Sequence, residues 1–222
     1  VGRSMAILLL KHPQAGEVKS RLALDLGDEM AVELYRSFVL DELSVLRASG
    51  LQHAISFFPP GALGPIREWL GSSLSYYPQR GRDHPERLMN TFIDAFSRGE
   101  DRAMVLASDV PDIDPAVLRE ADASLQESDA VIGPSPDGGY YIIGFRRDAF
   151  RKEAFKGIAW STERAFSDTM SRLEGLAVHL LPPWPDVDTA NDLEALAGRC
   201  RNPAFRSSRT VSVMAAMGLV RR

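Results

Sequence analysis

The sequence predicts one α/β domain, a mostly parallel, mixed sheet with helices on both faces. Three observations predict it. Short continuous aliphatic runs alternate with amphipathic stretches at helical spacing. The run beginning at Met104 stops abruptly at a cluster of carboxylates, as a buried strand does when it reaches the edge of an open sheet. No Gly/Ser/Pro linker divides the 222 residues, a length that suits one large domain with a sizeable core.

Ala6 to Leu10 reads as a strand buried on both faces, because it is aliphatic without alternation and is bounded by Lys11-His12-Pro13. A loop from Lys11 to Leu22 follows, joining a glycine turn at Gly16 to two cations, Lys19 and Arg21. Lys19 is a point charge and Arg21 a planar fork suited to phosphate oxygens; solvated surface cations are the plainer alternative. Asp28 opens a long helix with Ala31, Leu34, Tyr35, Phe38, Val39, Val45 and Leu46 on its apolar face. Ala54 to Phe58 is the second strand, Pro65 to Leu70 a short helix and Leu74 to Tyr77 the third strand. After a polar loop, Gln79 to His84, comes an amphipathic helix from Pro85 to Phe96 that buries Leu88, Met89, Phe92 and Phe96.

The central strand ends at Ser108-Asp109-Val110-Pro111-Asp112-Ile113-Asp114-Pro115. Asp114 before Pro115 reads as the cap of the next helix (Val117, Leu118, Ala121, Leu125). Asp109 has no such structural duty beyond a turn before Pro111, so it is the candidate for a metal or phosphate at the sheet's lip. Ala130 to Gly133 is a short strand, and Pro134 to Gly139 a turn whose Gly138 and Gly139 allow close backbone approach to a ligand. Tyr140 to Phe145 should alternate, Tyr140 and Ile142 on one face, Tyr141, Ile143 and Phe145 on the other. Ser161, after Trp160, is expected to cap a helix to about Leu173. Val178 to Leu181 is the last strand, and Thr189 with Asp192 resembles a capping box that leaves either Thr189 or Asp188 with another job.

Composition excludes several functions. A net charge of −4 with scattered basic residues argues against nucleic acid as the main partner. The single Cys200 cannot form an intrachain disulfide and suits a reducing, cytoplasmic setting. No apolar run approaches the roughly 18 residues of a membrane span. There is no Walker A loop, no G-x-G-x-x-G, and no Cys/His set for zinc or iron, so a bound ion would be Mg²⁺ or Mn²⁺ on carboxylates such as Asp109 and Asp188.

The segments Gly16 to Leu22, Ser108 to Asp112, Gly133 to Gly144, Gly157 to Thr162 and Asp186 to Thr189, in that order, resemble the bacterial nucleotide-diphospho-sugar transferase family of the arsenosugar-biosynthesis glycosyltransferase type. The match spans about residues 5 to 197, and an ordered set of this kind is more specific than any single motif. More distantly, the Lys-Ser-Arg-Leu and Asp-x-Asp-Thr runs are similar to 2-phospho-lactate guanylyltransferase. The resemblance implies a GT-A-like transferase domain over 1–197; outside the match, 198–222 reads as a basic extension whose apolar segment, Val211 to Val220, could dock on the body or on a second subunit of a homodimer. It implies Lys19, Arg21, Gln79, Gly81, Asp83, Arg87 and Ser108 at the nucleotide, and Asp109 and Asp188 at the metal. Asp112, Gly138, Gly139, Tyr140 and Trp160 join the sugar or acceptor, with Asp137 as catalytic base or sugar contact, although a turn aspartate would look the same. His84-Pro85 stands where the family pattern has Leu-Gly, and Lys11-His12-Pro13 where it has Lys-Ala-Pro. The implied activity is metal-dependent transfer of a sugar from a nucleotide-diphosphate sugar to a small-molecule acceptor. The alternatives are nucleotidyl transfer from a nucleoside triphosphate to a phosphorylated small molecule with release of pyrophosphate, and a catalytically degenerate nucleotide-binding or interaction module.

Overall fold

The computed structural model describes residues 2–199 and 203–220, so Cys200 and the arginines at 201, 221 and 222 lie outside the described residues. Seven strands form one sheet: β1 (Ser4–Lys11), β2 (His53–Phe58), β3 (Ser75–Pro78), β4 (Arg102–Leu106), β5 (Ala130–Pro134), β6 (Tyr140–Arg146) and β7 (Val178–Leu180). Their order is β3-β2-β1-β4-β6-β5-β7. Only β6 runs against its neighbours; the remaining pairs are parallel, so the sheet is mixed and mostly parallel as expected.

Helices α1 (Ser20–Leu26), α2 (Asp28–Ser49), α3 (Leu63–Leu70), α4 (His84–Ser97), α5 (Pro115–Ser124), α6 (Ala165–Arg172), α7 (Ala190–Arg199), α8 (Pro203–Arg206) and α9 (Arg209–Ala216) complete the described chain. One face of the sheet packs Leu8, Ile55 and Met104 against α2, α3 and α5 through Leu43, Ile66 and Leu118. The other packs Ile7, Val105 and Ile143 against α4 and an aromatic group, in which Phe92 meets Phe145 edge-on at 5.3 Å. With both faces covered, β1 has no solvent side, which is why its sequence is aliphatic without alternation. A third apolar cluster joins Leu22 of α1, Phe38 of α2, Leu193 of α7 and Met214 of α9.

Three local expectations are corrected. The stretch read as loop up to Leu22 runs into α1, which buries Leu22 alone and leaves Leu24 85% exposed, so no apolar period announced it. Ser161 caps nothing: it takes a left-handed φ of 59°, and α6 begins only at Ala165. Alternation along β6 breaks at Tyr141, the extra residue of a bulge, since Gly133 pairs with Ile142 and Pro134 with Tyr140. Tyr141 therefore joins Ile142 in one core cluster, while Tyr140 lies with Ile143 and Phe145 on the opposite face. A bulge inserts one residue and re-aims those beyond it, a device found beside functional sites.

Among the described residues no helix is long and apolar enough to cross a membrane.

Candidate active site

The site lies beyond the carboxyl ends of β1 and β4, where the crossover direction of the sheet reverses and a crevice opens. Asp109 leaves β4 on a short loop braced from beneath. Its neighbour Val110 donates its N–H to Glu42 Oε1 at 2.7 Å, and Ser108 Oγ pairs with the Tyr35 hydroxyl at 3.1 Å. Tyr35 also accepts the Lys11 N–H, so one phenol ties the exits of β1 and β4 together. Burial first, and then the nearby Asp109 charge, raise the Glu42 carboxyl well above its ordinary value.

Asp188 arrives from far along the chain by backbone pairing: Val187 donates its N–H to the Asp109 carbonyl at 2.9 Å. The segment is kept extended by Pro182, Pro183 and Pro185. Val187 is fully buried, and in an extended chain its two neighbours point the other way, into the crevice. Asp192 Oδ2 accepts both the N–H and the hydroxyl of Thr189, and the Thr189 hydroxyl accepts the Asp192 N–H. The capping box is thus closed by Thr189, which leaves Asp188 for the site.

Lys19 sits between the two aspartates, 3.2 Å from Asp109 and 2.7 Å from Asp188, with its side chain only 7% exposed. Burial opposes its charge, but Asp109 and Asp188 outweigh burial and hold the ammonium's pKa above its usual value. Lys19 has a left-handed φ of 48°, a conformation disfavoured outside glycine and concentrated at functional sites. Arg21, on the first turn of α1, reaches Asp188 at 2.5 Å. Burial acts against the Asp188 charge too, yet Lys19 and Arg21 keep its pKa lowered. For Asp109 burial dominates over Lys19, and its pKa is raised.

Asp186, two residues before Asp188, was missed by sequence reasoning as a ligand. One oxygen each from Asp109, Asp186 and Asp188 lies within 4.8 Å of the others. Burial and then Asp109, Asp137 and Asp188 push Asp186 up to about 7, and among the described residues no cation is paired with it. Three convergent hard oxygen donors, whose charge exceeds that of Lys19 and Arg21 set against them, fit a divalent ion of the magnesium or manganese kind. The i, i+2 spacing of Asp186 and Asp188 in a proline-held segment was the available signal.

Two cavities meet at this cluster and share Leu9, Arg21, His84, Ala107, Asp109 and Asp188. The smaller, about 270 Å³, runs toward Lys11, Lys19, Gln79, Arg87 and Ser108. The larger, about 380 Å³, runs toward Asp137, Gly139, Tyr140, Trp160, Glu163 and Asp186. Trp160 packs edge-on against Tyr140 (6.0 Å) and His84 (5.7 Å), so the exposed histidine at the mouth of both cavities was a second miss. Desolvation, followed by Arg87 and Lys11, lowers the His84 pKa, an effect that its open face tempers.

Not every candidate residue faces these cavities. Asp112 turns away: it accepts Trp184 Nε1 at 3.0 Å and Arg199 Nε at 3.1 Å, bracing the proline segment and α7 from behind. Asp83 caps α4 by accepting the Glu86 N–H at 2.9 Å. Gly81 is required by packing, since a Cβ there would meet the Arg87 backbone at 2.8 Å. Gly138, at φ 91°, makes its close approach to the Glu163 backbone and not to a ligand pocket. Gln79 lines the smaller cavity, but its amide donates to the carbonyls of Leu10 and Ser56, locking β1 to β2. Arg87 also lines it, with its guanidinium 4.3 Å over the Phe58 ring. Asp137, exposed on the rim of the larger cavity, accepts the Gly139 N–H at 2.8 Å through one oxygen.

Sheet order and site together define an α/β protein of the nucleotide-diphospho-sugar transferase fold. The chain belongs to the family described as "Uncharacterized protein conserved in bacteria (DUF2064)", whose model matches residues 39–162. A solved structure of a "putative nucleotide-diphospho-sugar transferase" from Desulfovibrio desulfuricans G20 is 36% identical, with a TM-score of 0.92 over 99% of this chain and 97% of that one. A cytidylyltransferase from Leptospira borgpetersenii is 15% identical (TM-score 0.58, covering 98% and 97%). Rv0371c from Mycobacterium tuberculosis H37Rv, solved in complex with manganese, is 18% identical (TM-score 0.53, covering 87% and 97%). These last two likenesses are of fold. No curated protein matches the chain.

Proposed function

We propose that this protein is a metal-dependent transferase that moves a sugar from a nucleotide-diphosphate sugar to a small-molecule acceptor. The observation that carries the reading is the convergence of Asp109, Asp186 and Asp188 at the junction of two cavities, with Lys19 and Arg21 beside them. The 36% identical relative, named for nucleotide-diphospho-sugar transfer, supports it.

Asp109, Asp186 and Asp188 would hold Mg²⁺ or Mn²⁺, which when bound neutralises diphosphate oxygens as a Lewis acid. The nucleotide lies in the smaller cavity, where Lys11, Lys19, Arg21 and Arg87 supply positive charge. As the bond between the anomeric carbon and the diphosphate oxygen breaks, its electron pair goes to the departing nucleoside diphosphate. Lys19 and Arg21 stabilise that growing charge, and preorganised charge of this kind is commonly the largest catalytic term. The acceptor hydroxyl, entering from the larger cavity, forms the new bond and gives its proton to Asp137, whose second oxygen is free of the Gly139 contact. The same cationic cavity suits a triphosphate, so nucleotidyl transfer is the second reading.

The test is product analysis with Mn²⁺: release of a nucleoside diphosphate from a nucleotide sugar supports sugar transfer, and release of pyrophosphate from a triphosphate supports the second reading. Asp109→Asn is expected to abolish the metal dependence and lower turnover on the order of a hundredfold. Metal and nucleotide affinity unchanged in that variant would overturn both.

A further inference from the structure

The two cavities carry opposite charge. The smaller is lined by four cations (Lys11, Lys19, Arg21, Arg87) against three carboxylates (Glu17, Asp109, Asp188). The larger has five carboxylates, adding Asp137, Glu163 and Asp186, against the single guanidinium of Arg21, which is already paired with Asp188. A divalent ion on the aspartate cluster would compensate that cluster and still leave Asp137 and Glu163 on the outer wall with no cation of the lining facing them. The same cavity is lined by Tyr140 and Trp160, in edge contact at 6.0 Å.

A phosphorylated or carboxylated second substrate would have to shed its hydration beside two like charges and gain no counter-ion, and like-charge juxtaposition disfavours a partner. A neutral polyol or an amine meets carboxylates as hydrogen-bond acceptors and aromatic faces that take C–H surface or a cation. Resting on the transferase reading above, we infer that the second substrate is uncharged or cationic, a hydroxylated or amine-bearing small molecule, and not a phosphate ester or carboxylic acid.

Saturation-transfer NMR on the full chain with Mg²⁺ tests it, using three probes of similar size: glucosamine, glucose and glucose 6-phosphate. Binding of UDP and GDP with Mg²⁺ is measured first; if neither binds, the transferase reading itself is in question, whereas nucleotide binding with the wrong probe preference sinks this inference alone. Expected is a signal from glucosamine and glucose at 10 mM, at least about fivefold stronger than from glucose 6-phosphate, consistent with about 1 kcal/mol of discrimination. Glu163→Lys, at an exposed position, should raise the glucose 6-phosphate signal relative to that of glucose. A phosphate ester that binds as well as glucose, or no signal from either uncharged or cationic probe, overturns the inference.

Discussion

Asp186 is the residue whose ionisation most directly reports the state of the site. Its pKa is pushed up to about 7 from an ordinary 3.8, because the half-buried carboxyl is desolvated beside Asp109, Asp137 and Asp188, with no ion pair to a described residue. The sign follows from proton counting. Between pH 3.8 and about 7 the folded protein holds a proton that the unfolded chain gives up. Stability from this group is therefore complete below pH 3.8 and is lost as pH rises through 7. A metal ion needs the carboxylate, so metal binding reverses that preference and expels the proton. Calorimetric titration of Mn²⁺ in two buffers of different ionisation enthalpy should find close to ~1 proton released at pH 6 and almost none at pH 8. Asp186→Asn should abolish the difference; equal release at both pH values would show that Asp186 is no ligand.

The bulge of β6 makes the same case for elements. Tyr141 is carried by the extra residue and its ring lies over Gly133, where a Cβ would come within 2.3 Å of the ring; its hydroxyl donates to the Pro182 carbonyl at 2.9 Å. Gly133 therefore lets a tyrosine brace the proline segment that delivers Asp186 and Asp188. Gly133→Ala should destabilise by about 1–3 kcal/mol through overpacking, read from urea denaturation, and weaken Mn²⁺ binding in parallel. Stability lost with Mn²⁺ affinity intact would separate the brace from the metal cluster. None of this was legible in sequence, because alternation assumes one residue per pleat and a bulge breaks the count. What was legible had a strong local cause. Buried strands such as Ala6 to Leu10 announce themselves by unbroken apolarity, Asp114 by its proline and the amide of Ala116 that it caps, and Asp109 by having no cap to make. Asp112 and Asp83 were set at the site by the resemblance. The partners of Asp112, Trp184 and Arg199, appear only once the chain is folded, whereas Asp83, followed by Pro85 and Glu86, carried a cap signal that its place in a polar loop hid.

At the scale of the whole molecule, the cationic side of the site is held by the end of the chain. Asp41 of α2 accepts the N–H groups of Arg209 (3.0 Å) and Thr210 (2.8 Å), and Ser208 Oγ accepts that of Val211, so the first turn of α9 is capped from the body. Met214 of α9, fully buried, then packs in the cluster that contains Phe38 of α2 and Leu22 of α1. Leu22 is the only buried residue of α1, and the two residues that meet Asp188 precede it by three and one positions. With Leu22 fully buried and the half-buried Leu26 packed beside it in the same cluster, α1 depends on that cluster for its position. A cavity at Met214 should therefore be felt at Lys19 and Arg21. Met214→Ala should destabilise by about 2–5 kcal/mol, measured by urea denaturation. In conditions where the variant remains folded, it should also raise the dissociation constants for a nucleoside diphosphate and for Mn²⁺ together, because Val187, between Asp186 and Asp188, is buried in the same cluster as Leu22. Weakened nucleotide binding with Mn²⁺ affinity intact would mean instead that the cluster supports only the phosphate side, through α1.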